Sequence, residues 1–374
     1  MKQMNSQTFL LISVICALYG TNTIASELTS GEVIGRHIFG LARDYQQSPV
    51  MIGEDPLIHK GQVSHHEFVV AGEGGKQSYA VSLFNDSLGS AYLSERSADL
   101  DSYVDDSYVD THALDLEPIS GLTRPGSGIK SPWGSLLFSE STDLNTAAPE
   151  KFVEEMAPFF KGNKELVNPY HYGWLAEVIL SEIAGETKVI KDYGVGRLAA
   201  SQIMLMPDAQ TLYLLDAEYS GNLYVFIAEL AKSLTQGTLY GVLFDGRSVT
   251  YHKLGQGAAL KTKFRLRNAR FASFFDSEQA DGGQCSQGFK YLESIYGQEC
   301  LKLQKRAESY AGLFEPVRVM ALQAGGESNK PVRAIEYDAV NQRLTLIQAD
   351  QQQRTFPLKS DSTLQSQFIM ESLP

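Results

Sequence analysis

The chain has 374 residues, with 32 Lys and Arg against 44 Asp and Glu for a net charge of −12, and 43% of it is hydrophobic, including 18 Phe and 18 Tyr. That apolar content excludes a largely disordered protein, and the negative charge argues against the phosphate backbone of DNA or RNA as a partner. Past the N-terminus no apolar run reaches the roughly 20 residues of a membrane-spanning helix, and the length suits one large domain or two ordinary ones.

Residues 1–25 read as a secretory signal peptide. Lys2 is the only charge there, an apolar stretch runs from Phe9 to Gly20, and Thr23-Ile24-Ala25 supplies small residues for cleavage near Ala25. Ile15 before Cys16 does not suit a lipoprotein signal. Removal of Lys2 with the leader takes the net charge to −13. The expected location is periplasmic or extracellular.

Most of the following chain reads as short strands between Gly, Asp, Asn or Pro turns. They are His66–Ala71, Tyr79–Phe84, Ser135–Ser139, Trp174–Ile179, Lys188–Tyr193, Gln202–Met206, Gln210–Leu215, Asn222–Ile227, Thr238–Phe244 and Ser248–Leu254. The reading is all-β: a barrel, a sandwich or a propeller. Helices are expected at Pro149–Phe160, over the short stretch Glu229–Leu234, and along Phe289–Leu313 with a break at Gly297.

Several side-chain groups could carry chemistry. In His65-His66-Glu67, strand alternation lets at most two share a site, as metal or base groups or as a strand-edge polar cluster. A tandem DSYVD repeat at Asp101–Asp110, with Asp99, Asp115 and Glu117 nearby, is either a calcium-binding carboxylate cluster or a solvated acidic loop. Gly194-Val195-Gly196-Arg197-Leu198-Ala199 fits a loose dinucleotide motif, but a strand and a Pro207-Asp208 turn follow it where a helix is needed, so its glycines are expected to serve turns. Cys285 and Cys300 are expected to form a structural disulfide, closing a loop of about 15 residues and worth roughly 3 kcal/mol.

The middle of the chain resembles the PhoX-type alkaline phosphatases. Ser131-Pro132-Trp133-Gly134-Ser135-Leu136-Leu137-Phe138-Ser139-Glu140 is similar to that family's "TPWGT…CEE" segment, and Tyr172–Val178 to its "GW-x-x-E-I/V" strand. Gly196-Arg197-Leu198-Ala199 resembles "GRF", Asp216–Phe226 resembles "GDD…YIYKF", and Thr238–Gly246 resembles "GTLYVAKF". These agreements keep their order from residue 131 to residue 250. The resemblance implies one β-propeller domain over residues 30–374, with about six irregular blades and a few helical insertions around an axial metal cluster of iron and calcium that hydrolyses phosphate monoesters.

The departures fall on the ligands. Ser139 stands at the metal-bridging cysteine, Ser141 at the second glutamate, Ala200-Ser201 at the "HE" pair, and Ala217 at the second aspartate. Asn268–Ala272 keeps Arg270 from a "DRPE" stretch and loses both acids. What the resemblance then leaves as expected metal ligands is Glu140, Asp216 and Glu218, for calcium rather than iron, with Arg197 and Arg270 as the expected phosphate contacts. Two functions follow: a non-catalytic or calcium-binding propeller, or a metal-dependent phosphomonoesterase with a reduced metal set, acting on a small phosphorylated molecule.

Overall fold

The computed structural model describes residues 50–52, 55–57, 62–72, 75–96, 108–142, 144–180, 187–216, 220–246, 249–280, 282–325 and 329–357. The signal-peptide segment and the first DSYVD unit lie outside the described residues.

The described chain is mostly β and builds antiparallel sheets from strands that follow one another in sequence. A short pair, β1 (Val50–Ile52) and β2 (Asp55–Leu57), precedes a four-stranded meander of β3 (Gln62–Gly72), β4 (Gly75–Asn85), β5 (Ser90–Arg96) and β6 (Tyr108–Ala113). The next four-stranded meander is β7 (Pro125–Lys130), β8 (Ser135–Glu140), β9 (Leu175–Leu180) and β10 (Thr187–Lys191). A five-stranded one follows: β11 (Gln202–Leu205), β12 (Thr211–Asp216), β13 (Asn222–Leu230), β14 (Ser233–Phe244) and β15 (Val249–Ala258). Two three-stranded sheets complete the order, β16 (Phe275–Glu278), β17 (Lys290–Ser294) and β18 (Gly297–Leu303), then β19 (Val332–Asp338), β20 (Arg343–Gln348) and β21 (Gln353–Pro357).

Alternation along the strands explains how these sheets stack. In β8, Leu136 and Phe138 point into a core shared with Val81, Leu83 and Leu93 of the preceding meander, while Leu137 points into the core on the other side. In β12, Leu212 and Leu214 join that second core, and Tyr213 and Leu215 face Ile335, Leu344 and Leu346 of the last sheet. Both faces of β8 and β12 are therefore covered, and all six residues of each strand are buried. A strand covered on both faces reads as a continuous apolar run, which is how both segments look in the sequence.

Among the described residues four α-helices punctuate the sheets: α1 (Glu150–Met156), α2 (Ala259–Leu266), α3 (Ala311–Phe314) and α4 (Pro316–Ala324). α1 and the 3-10 turn after it, Ala157–Phe160, fall where the sequence expects a helix. The two other expected helices are largely strand and turn; of Phe289–Leu313 only the 3-10 turn Lys305–Ala307 and the start of α3 from Ala311 are helical. Phe289–Leu313 contains the β17–β18 hairpin, and its Gly297 has φ +99°, so the apparent break is the hairpin turn. Glu229–Leu234 is the β13–β14 turn, with Leu230 opposite Ser233.

The disulfide is as expected. Cys285 and Cys300 are bonded with Cα atoms 5.6 Å apart, tying the loop before β17 to β18. The loose dinucleotide motif is a turn. A Cβ on Gly257 would stand 1.8 Å from the Gly194 carbonyl oxygen, and one on Gly194 would stand 2.5 Å from the Leu234 carbonyl oxygen, so both positions need glycine for close backbone approach.

Candidate functional site

Glu140, the last residue of β8, is fully buried and carries a carboxylate with four donors. Oε1 lies 3.0 Å from the Lys191 ammonium and accepts the Thr123 N–H at 3.0 Å. Oε2 accepts the N–H groups of Gly173 at 2.9 Å and Trp174 at 3.1 Å. Lys191 ends β10, and its side chain is shut off from solvent. It also donates to the His171 carbonyl at 2.8 Å and lies 4.6 Å from the centre of the Tyr172 ring. Burial pushes the Glu140 carboxyl up, and the Lys191 charge with the backbone donors pulls it back. Burial likewise pushes Lys191 down against the pull of Glu140. Such a pair repays its desolvation only when geometry is good and further hydrogen bonds satisfy the remaining lone pairs. Here both conditions hold.

Next to this pair is a narrow cleft lined by Thr142, Gly173, Arg197, Asp216, Tyr224 and Glu315, among others. Gly173 is its link to Glu140, whose carboxylate lies behind that backbone and does not line the cleft. Arg197 follows Gly196, whose φ of +116° turns the chain, and its own N–H donates to the Leu313 carbonyl at 2.8 Å. Its Nη1 and Nη2 donate to the carbonyls of Phe314 and Leu144, each at 3.0 Å, and the guanidinium lies 5.3 Å from the Tyr170 ring centre. Among the described residues the buried Nε has no hydrogen-bond partner. Asp216, the last residue of β12, accepts from the Ser220 hydroxyl at 2.6 Å. The volume open to the centre of a water molecule is about 20 Å³, which is room for one or two waters rather than a phosphate ester.

The structure thus brings Arg197 and Asp216 to one cleft and sets Glu140 behind its wall. Arg270 is exposed at the start of a 3-10 turn and bonds the Ala269 carbonyl. Glu218 lies outside the described residues. Of the serines at matched ligand positions, Ser139 donates to the Ala200 carbonyl and Ser201 to the Leu215 carbonyl at 3.1 Å. His66 faces the buried side of β3 and accepts the Gly128 N–H at 3.3 Å. Among the described residues no three His, Cys, Asp or Glu side chains gather as a ligand set.

Sequence reasoning missed the most heavily bonded charges. Glu315 and Arg318 sit one helical turn apart at the start of α4, both buried, with Arg318 Nη1 donating to Glu315 Oε2 at 2.8 Å. Arg318 also grips Glu299 of β18 with Nε at 3.0 Å and Nη2 at 2.8 Å, and donates to Asn145 at 2.8 Å. Its guanidinium lies 4.0 Å from the Tyr296 ring centre. Glu315 Oε1 accepts from the Thr146 hydroxyl and from the Tyr170 hydroxyl at 2.7 Å. The i, i+3 spacing of acid and base is the one sequence signal of this network, and on an exposed helix it would mean little.

Asp192, just after β10, is a second buried acid beside Glu177, and among the described residues one of its carboxyl oxygens has no hydrogen-bond partner. Glu177 itself accepts from Trp133 Nε1 at 2.6 Å and from the Ser135 hydroxyl. Burial, and then the Glu177 charge, hold the Asp192 carboxyl well above the usual carboxylate range. The folded chain therefore keeps a proton that the unfolded chain releases above about pH 4, and stability falls as pH rises from there towards the folded value. Asp192→Asn is expected to raise the Tm near pH 8 and to leave it nearly unchanged near pH 4, in thermal melts across that range. A Tm lowered by the variant at the higher pH would contradict this.

No family model and no curated protein matches the chain. Among solved structures, Pseudomonas fluorescens PhoX in complex with vanadate, a transition state analogue, is 12% identical with a TM-score of 0.33, over 82% of this chain and 76% of that one. A putative 6-phosphogluconolactonase from Bacteroides uniformis is 10% identical with a TM-score of 0.21, over 78% of this chain and 80% of the other. Both are weak likenesses.

Proposed function

We propose that the chain is a secreted or periplasmic β-propeller of PhoX-like descent that does not catalyse phosphate transfer. The ordered sequence resemblance over residues 131–250 supports the descent, and so do antiparallel meanders stacked face to face, the first on the second and the second on the third, as radial blades are; the last sheet packs on the third meander rather than on its sequence neighbour. The observation that carries the loss of catalysis is the saturation of Glu140. An ammonium and three backbone N–H groups take its acceptor sites, so the Lys191 charge stands where the resemblance places a metal ion. The three serine hydroxyls in ligand positions donate to backbone carbonyls, Ser139 and Ser141 to that of Ala200 and Ser201 to that of Leu215, and a hard cation would have to break those bonds to gain only neutral oxygens.

The alternative, a phosphomonoesterase with a reduced metal set, draws on the shared cleft of Arg197 and Asp216. Aryl phosphate hydrolysis by the purified protein, with calcium and with iron, separates the two. The expected result is no turnover above that of the Arg197→Ala variant. Robust turnover abolished by Asp216→Asn would establish the phosphatase instead.

A further inference from the structure

We infer that the α2 end of the five-stranded sheet is a docking surface for an anionic phospholipid bilayer. Between Asp245 and Asp276 the chain carries seven Lys and Arg and no acid, in a protein whose net charge is −12. This segment leaves β15 and forms α2, which buries Thr262 and Leu266 and turns its other side outward. On that outer side Leu260 is 86% and Phe264 71% exposed, one helical turn apart. Lys261, Lys263 and Arg267 flank them, all exposed.

The same end of the sheet adds to the patch. β15 runs antiparallel to β14, so α2 begins beside the β13–β14 turn, where Leu230 is 70% exposed and Lys232 is exposed. Glu229 at this end accepts a hydrogen bond from Gln256, and Asp208 of the β11–β12 turn, next to the Ala209 carbonyl that takes the Lys232 N–H, accepts from the Thr211 hydroxyl at 2.7 Å. Water-exposed leucine and phenylalanine among lysines and arginines is the composition of an interfacial helix, whose apolar side chains enter the acyl boundary while its cations meet lipid phosphates. A nucleic acid backbone would draw on the cations alone. The apolar side chains stand out as a ridge, which suits a deformable lipid surface.

Vesicle flotation of the full chain tests this, using phosphatidylcholine with and without phosphatidylglycerol. Binding is expected only with the anionic lipid and is expected to fall at high salt. Leu260→Ser with Phe264→Ser, and separately Lys261→Glu with Lys263→Glu, should each weaken it about tenfold or more. All four residues are exposed, so circular dichroism and thermal melts should match the parent. Equal binding by parent and variants, or no binding at all, would overturn the inference. So would selective retention of duplex DNA insensitive to the serine pair, or a dimer in sedimentation that the serine pair abolishes.

Discussion

Glu140→Gln is expected to destabilise the protein by about 3–5 kcal/mol, because it leaves the Lys191 ammonium buried without its counter-charge. Lys191→Met should cost a similar amount, since the carboxylate then keeps only the N–H groups of Thr123, Gly173 and Trp174. Combining the two should cost much less than their sum, since a buried ion pair replaced as a unit by neutral groups is often close to neutral. Chemical denaturation of the four proteins in metal-free buffer gives the coupling directly. A carboxylate kept as a metal ligand would behave otherwise: its amide variant would be no less stable without metal, and the double variant would show no coupling to Lys191.

Arg318→Leu should produce a comparable loss, again about 3–5 kcal/mol, by leaving Glu315 buried without its cation. Glu315 would keep its hydroxyl donors from Thr146 and Tyr170, and Glu299 would lose the bonds from the guanidinium. Arg318→Lys should recover little of this. One ammonium cannot reach Glu315, Glu299 and Asn145 in the planar geometry that the guanidinium supplies. A lysine variant as stable as the parent, in denaturant titrations, would show that the network contributes charge alone.

How far the sequence could be read depended on the range of the forces involved. Strand periods and turn residues act locally, so β4, β8, β12, β13 and β14 were legible as strands. The β17–β18 hairpin was not: its apolar spacing also fits a helix, and only the turn at Gly297 decides between them. In the candidate site, the resemblance drew attention to Glu140, Arg197 and Asp216 as charged groups at ordered positions. It could not show that Lys191, 51 residues further along, would neutralise Glu140, because that contact depends on β8 and β10 both flanking β9. Arg318 was invisible for the same reason. Its partners Asn145, Glu299 and Glu315 come from three separate segments, and only tertiary packing buries the group they form.

Lys191 supplies the positive charge at Glu140. Elemental analysis of the parent and of Glu140→Gln, each exposed to iron and calcium and freed of excess, tests it most directly. The two proteins are expected to retain the same metal content. A stoichiometric ion held by the parent and lost from Glu140→Gln, while that variant remains folded, would contradict it.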